Sequence, residues 1–362
     1  MLRSLHILGS RQGGGAERFV VRLVQGLRAA GHQALCILPP QAWSRTQLGE
    51  HIDNHTVAMR GVWDLPSRWH INRLIKVHRP DIVQTYMGRA TRLTHLPRGA
   101  RPVHIARLGG YYDLKGYRHA HAWIGNTRGI CEYLIGAGLP AERVFHIGNF
   151  VEEQDEADAA ELAAVRRRHG IPTDAWLLLA VGRLHPNKGF DDLLAAMDTL
   201  PERIGGKTVH LLIAGDGPLR NALHRQANSS SSYTRIHWAG WIDRPAAYYQ
   251  AADLFICPSR HEPLGNVILE AWAHRRPVVA TASAGACELI TAERNGLLTP
   301  VEQPQALAAT IESALVLPEP ARTALGENGL NEVRTQHAPE VIIRRYLNLY
   351  AQLANAIGNG RG

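Results

Sequence analysis

Two glutamates, Glu262 and Glu270, stand with seven residues between them in the stretch running from Pro258 to Ala273. The apolar run 252–257 before it reads as a buried parallel strand, Pro258 breaks that run, and helical spacing resumes afterwards. Glu262 therefore falls in a strand-to-helix loop and Glu270 inside the helix, with Gly265 between them letting the backbone approach a ligand closely. A helix start at the carboxyl end of a parallel strand offers amide N–H groups and positive dipole, which suit phosphate. Carboxylates repel phosphate but accept hydrogen bonds from hydroxyls. A phosphate flanked by two sets of sugar hydroxyls describes a nucleotide sugar. For any single glutamate a solvated helix position is the commoner fate; the combination with its neighbours argues against that here.

A second group lies upstream. Residues 176–181 read as a strand, followed by Gly182-Arg183-Leu184-His185-Pro186-Asn187-Lys188-Gly189-Phe190 and an amphipathic helix. Arg183 and Lys188 are five apart on that loop, so a planar fork and a point charge can converge on one diphosphate. Near the N-terminus, Gly13-Gly14-Gly15 separates a strand at 2–8 from helical periodicity through Phe19, Val20, Leu23, Val24 and Leu27. Its spacing does not match a dinucleotide fingerprint, and a tight β–α turn explains it equally well.

These segments together resemble the retaining glycosyltransferases of the family 4 type, whose glutamate-seven-glutamate motif matches Glu262 and Glu270. The resemblance implies a GT-B fold: two Rossmann-like doubly wound parallel-sheet domains facing a central cleft, with a C-terminal helix crossing back to the first. It implies an acceptor-side domain at 1–151, a nucleotide-sugar-binding domain at 152–340 and the returning helix at 341–362. It assigns catalysis to Glu262, Arg183 and Lys188, with Glu262 facing the transferred sugar and Glu270 the ribose. Gly14, Gly15, Arg183, Lys188, Gly240, Trp241, Ile242, Glu262, Pro263, Leu264, Gly265, Asn266 and Glu270 become the expected donor contacts. Four positions depart from the family pattern. Tyr86 and the Leu108-Gly109-Gly110 segment stand where a catalytic histidine is often found, Leu264 where an aromatic is usual, and Arg275-Arg276 where a glycine is usual. His104 is close by but inside a strand, where a structural role is expected, so no catalytic histidine is assigned.

The elements that must position these residues alternate. Strands are expected at 33–38, 81–86, 102–108, 122–125 and 144–147, then at 176–181, 209–214, 236–238, 252–257 and 277–281, with helical segments between and a last helix at 342–357. That alternation indicates parallel doubly wound sheets. Residues 152–161 read as an acidic linker entering a helix. They contain Asp155-Glu156-Ala157-Asp158, a helicase signature, and Gly206-Lys207-Thr208 looks like the end of a P-loop. Pro201 occupies the place of that motif's first glycine and a strand follows where a helix is required, so a nucleoside-triphosphatase is rejected.

A chain of 362 residues suits two α/β domains. Its net charge of +8 is uneven: residues 1–150 carry 20 Lys and Arg against 8 Asp and Glu, and the rest carry 20 against 24. Membrane headgroups or a phosphorylated acceptor fit a basic first half; nucleic acid fits by charge alone, without a recognition motif. The four cysteines are far apart with no metal spacing and are expected as reduced thiols. No run reaches the roughly 18 apolar residues of a membrane span, so a cytoplasmic protein, peripheral on the inner membrane face at most, is expected. The expected reaction moves a hexose from a nucleotide sugar, UDP-sugar by default, to a saccharide or lipid-linked envelope acceptor such as lipopolysaccharide or exopolysaccharide, with anomeric configuration kept and no metal or other cofactor. The alternatives are a nucleotide-sugar epimerase of the same fold and a non-catalytic nucleotide-sugar-binding subunit.

Overall fold

The computed structural model describes residues 2–49, 52–99 and 101–358. The chain forms two compact units, Met1–Phe150 with Pro339–Gly362, and Val151–Ala338.

The first unit is built on seven parallel strands: β1 (Arg3–Leu8), β2 (Gln33–Leu38), β3 (Asn54–Thr56), β4 (Ile82–Tyr86), β5 (Val103–Leu108), β6 (Ala122–Gly125) and β7 (Val144–His146), in the order β3-β2-β1-β4-β5-β6-β7. Leu5, Ile7 and Leu8 of β1 are all fully buried, because helices cover both faces of such a sheet and alternation is lost. The helix Gly15–Ala29 presents Phe19, Val20, Leu23, Val24 and Leu27 to one face. The helix Pro339–Gly358 packs on that face too, burying Ile342, Ile343, Tyr346, Leu349, Tyr350 and Leu353. Gly26 makes room for it, since a Cβ there would come within 2.7 Å of Ile343 Cδ1. Polar contacts fix its register: Tyr350 Oη donates to Gln84 Oε1 at 2.7 Å, and Arg107 Nε donates to Tyr346 Oη at 3.0 Å while its guanidinium lies 3.8 Å from the Phe19 ring centroid.

The second unit contains β8 (Trp176–Val181), β9 (Arg203–Ile204), β10 (Lys207–Ala214), β11 (Ile236–Gly240), β12 (Leu254–Cys257), β13 (Val278–Thr281) and β14 (Leu297–Thr299). Six run parallel in the order β11-β10-β8-β12-β13-β14, and β9 forms an antiparallel hairpin with β10. Successive residues feed opposite layers: Leu177, Leu179, Leu212, Ala214, Phe255 and Cys257 join one core, and Leu178, Ala180, Leu211, Ile213, Leu254 and Ile256 the other. A strand apolar at every position is thus a strand buried on both sides.

Most strands lie within one or two residues of their expected places. The expected linker is irregular to Asp158, whose Oδ1 accepts the Glu161 N–H at 2.7 Å and caps the helix Ala159–Arg168, so the helicase-like letters form a loop and a cap. Gly205 and Gly206, both at positive φ, turn the β9–β10 hairpin, and Lys207 and Thr208 open β10. Cys36, Cys131 and Cys257 are buried and Cys287 is exposed, all as free thiols.

Candidate functional site

In the second sheet the order reverses beside β8, with β10 on one side and β12 on the other. Loops leaving the carboxyl ends of strands at such a point diverge and leave a crevice for a ligand. The loop after β8 carries Lys188 and the loop after β12 carries Glu262.

The two loops are stitched together by their backbones. The His261 N–H donates to the Asn187 carbonyl at 3.0 Å and Arg260 Nη1 to the Pro186 carbonyl at 3.2 Å. Arg260 also pairs with Asp191 and Asp192 at 2.8 and 2.7 Å, tying the β12 loop to the start of the helix Phe190–Thr199. Gly189 makes the approach possible. Its φ is +61°, and an added Cβ would lie 2.1 Å from the Pro258 carbonyl oxygen. From the other side, the Gly285 N–H donates to the Glu262 carbonyl at 2.7 Å, and a Cβ on Gly285 would collide with the Leu264 backbone.

This bracing brings Lys188 Nζ into direct contact with Glu262 Oε2. Both side chains are largely buried, 24% and 13% exposed respectively. Burial would lower the Lys188 pKa, but the charge and hydrogen bond of Glu262, together with Cys257 and Glu270, outweigh it, so Lys188 sits above its ordinary value and is protonated. Past the loop, Gly265 at φ +84° caps the helix Asn266–Ala273, whose first-turn amides and positive dipole end adjoin Glu262. Glu270, one turn and more along, accepts a 2.9 Å hydrogen bond at Oε2 from Tyr249 Oη, and Tyr249 is fully buried. That bond fixes one carboxylate oxygen.

Glu262, Lys188, Gly265, Asn266 and Glu270 are therefore gathered on neighbouring loops and one helix. Arg183 shares the β8 loop but is exposed, and its side chain makes no hydrogen bond or ion pair among the described residues. Pro263 is half-buried and Leu264 buried within the same loop. Gly240 ends β11 at φ +67°, Trp241 beside it is 59% exposed with its Nε1 donating to Asp243 at 2.9 Å, and Ile242 packs on the core. Gly14 and Gly15 belong to the first unit. Gly14 is extended, and its N–H donates to Glu17 Oε2 at 3.0 Å, closing the start of the helix Gly15–Ala29. His104 lies inside β5, fully buried, with its Nε2 hydrogen-bonded to Thr85 Oγ1 at 3.0 Å, and burial holds its pKa well below the ordinary histidine value. Sequence reasoning missed Tyr249, whose only signal is a tyrosine pair on a helix preceding β12. Among the described residues no group of three or more His, Cys, Asp and Glu is arranged to hold a metal ion.

A cation beside a helix start, flanked by two carboxylates, can hold a diphosphate and hydroxyl-bearing rings together. Comparisons with known proteins agree with that chemistry. Residues 13–155 match the family model of glycosyltransferase family 4, and residues 176–316 that of glycosyl transferases group 1. The lipopolysaccharide core biosynthesis glycosyltransferase LpsE of Rhizobium meliloti is 33% identical over 346 residues, covering 93% of this chain and 96% of its own. LpsD of the same organism is 28% identical, covering 93% and 95%. Among solved structures, Anabaena HepE in complex with UDP and glucose superposes with a TM-score of 0.82 at 21% identity, covering 97% of this chain and 100% of that one. At that identity the likeness speaks for the fold alone, which is GT-B.

Proposed function

The chain belongs to the group 1, family 4 glycosyltransferases, and from that membership we propose that it is a retaining, metal-independent hexosyltransferase using a UDP-sugar to extend a lipopolysaccharide or exopolysaccharide acceptor. The observation carrying this reading is the Lys188–Glu262 contact at the switch point of the second sheet, with Glu270 oriented by Tyr249. As the bond from the sugar's anomeric carbon to the diphosphate lengthens, negative charge gathers on the leaving group. Lys188, Arg183 and the amides at Asn266 supply the opposing charge that a divalent metal supplies in other sugar transferases. Glu262 then faces the ring as it gains positive character, and Glu270 accepts from the ribose hydroxyls. The lipopolysaccharide-core relatives support the acceptor class, and a UDP-sugar is the donor to be tried first.

The proposal includes a cytoplasmic protein in peripheral contact with an anionic membrane surface. No helix among the described residues is long and apolar enough to cross a membrane. The helix Leu65–His78 instead exposes Leu65, Trp69 and Val77, with Trp63 just before it, beside the exposed cations Arg60, Arg73, Lys76 and Arg79. Indole rings next to cations suit the headgroup region of an anionic leaflet.

The reaction is tested by incubating the enzyme with UDP-, GDP- and ADP-sugars, with and without truncated lipopolysaccharide, and following nucleotide release and product by NMR. Acceptor-dependent UDP release, an α-linked product from an α-linked donor, and insensitivity to EDTA are expected. A β-linked product contradicts retention, and loss of turnover in EDTA contradicts metal independence. Isomerised donor without transfer would mark an epimerase.

A further inference from the structure

The first sheet also reverses its strand order, between β1 and β4. At the carboxyl ends of those two strands lies an open pocket of about 710 Å³, floored by Gly9 and Met87 and walled by Arg11, Gln12, Arg60 and Arg89. Among the described residues, three guanidiniums and no carboxylate line it. Arg89 is held in place, its Nη1 reaching the carbonyls of Gly9 at 3.4 Å and Met59 at 3.2 Å. Carbonyl dipoles orient that cation without neutralising it. Arg11 and Arg60 are exposed, and among the described residues neither side chain has a hydrogen bond or ion pair. Asp64, the carboxylate that feels the Arg60 charge, is already taken by the Ser67 N–H and hydroxyl and by the Arg60 N–H.

Like charges that converge without an internal partner repel one another, and an anionic ligand relieves the repulsion. Guanidinium forks match the oxygens of a phosphate or carboxylate. Ser10 and Gln12 add groups able to meet hydroxyls, and the volume falls within the roughly 300–1,000 Å³ of small-ligand sites. We propose that Arg11, Arg60 and Arg89 form an anion clamp that selects an acceptor saccharide bearing a phosphate or carboxylate substituent. This rests on the glycosyltransferase reading and specifies its acceptor: the charged substituent anchors the sugar, and the neighbouring hydroxyls remain to be glycosylated.

The test uses the full chain and the double variant Arg11→Gln/Arg60→Gln, which changes two exposed side chains that make no hydrogen bond or ion pair among the described residues. Glucose 6-phosphate, glucuronate, glucose and inorganic phosphate are titrated by calorimetry, with UDP as a control for the other unit. Wild type should bind glucose 6-phosphate or glucuronate but not glucose. The double variant should bind that same sugar about tenfold more weakly or worse, with its UDP affinity and thermal midpoint unchanged. Which of the two charged sugars binds identifies the substituent. Three results overturn the clamp: no charged sugar binding to wild type, inorganic phosphate binding as tightly as the sugar phosphate, or UDP affinity falling in step with sugar affinity. Absence of UDP binding to wild type would instead strike the donor reading and leave the clamp standing.

Discussion

Lys188 is the residue on which donor chemistry turns. It is largely buried, held by Glu262, and its pKa lies above the ordinary value, so its positive charge is in place before a diphosphate arrives. Removing a preorganised donor of this kind costs about 100- to 1,000-fold in turnover; Lys188→Ala should lose that much in a UDP-release assay while its circular dichroism stays native. The pH behaviour has a fixed sign. A lysine whose folded pKa is raised contributes stability that is complete below its unfolded value and is lost only as pH climbs through the folded one. Between about pH 7 and 9 neither stability nor turnover should fall on account of Lys188, which denaturant melts and rate profiles will check. Tyr249→Phe leaves Glu270 without its anchoring bond, and the expected outcome is a weaker Kd for UDP with little change in fold. The two glutamates were legible from their spacing because loop and helix lie next to each other in the chain. Tyr249 was not, since its partner is 21 residues away and reaches it only through the packing of a helix on β12. The direct grip of Lys188 on Glu262, 74 residues apart, was hidden for the same reason.

Elements set these distances, and glycines set how near the elements come. Gly189 combines a left-handed backbone with an impossible Cβ position against Pro258. Gly189→Ala should destabilise the second unit by about 1–3 kcal/mol or more from backbone strain alone, and it should part Lys188 from Glu262. A lowered thermal midpoint together with lost activity is expected; an unchanged midpoint would show that the loops are not clamped as described. Long strands such as β8 and β10 were readable as apolar runs bounded by glycine. The short β3, β9 and β14 were not, because two or three residues carry little period to detect, whereas the equally short β7 was marked by the run 144–147 ending at Gly148. The helices Pro304–Val316 and Glu319–Glu332 were likewise not assigned. The second holds Gly326 and Gly329, small because the Arg275 backbone and the Trp272 ring press on them, which weakens its helical signature. Arg275, one of the two arginines standing where a glycine is usual in the family, adopts φ +57° and binds Glu153, Glu156 and Glu327; acidic partners hold it in a conformation glycine adopts freely.

At the scale of the whole molecule, the chain makes a first unit, a second unit and then a helix that completes the first. Deleting residues 339–362 strips Tyr346 and Tyr350 from Arg107 and Gln84 and uncovers the apolar face against which that helix packs. The first unit of that truncation should be rapidly cleaved in limited proteolysis while the second resists. The basic, indole-bearing surface around Leu65–His78 leads to a further expectation: sedimentation with anionic liposomes at low salt, weakened by added salt and by Trp63→Ser/Trp69→Ser. The most direct test of the central claim is a crystal structure with UDP bound. The account predicts the diphosphate within hydrogen-bonding distance of Lys188 Nζ and the Asn266 amide, with the ribose hydroxyls on Glu270. Clear density for UDP anywhere remote from those three groups would contradict it.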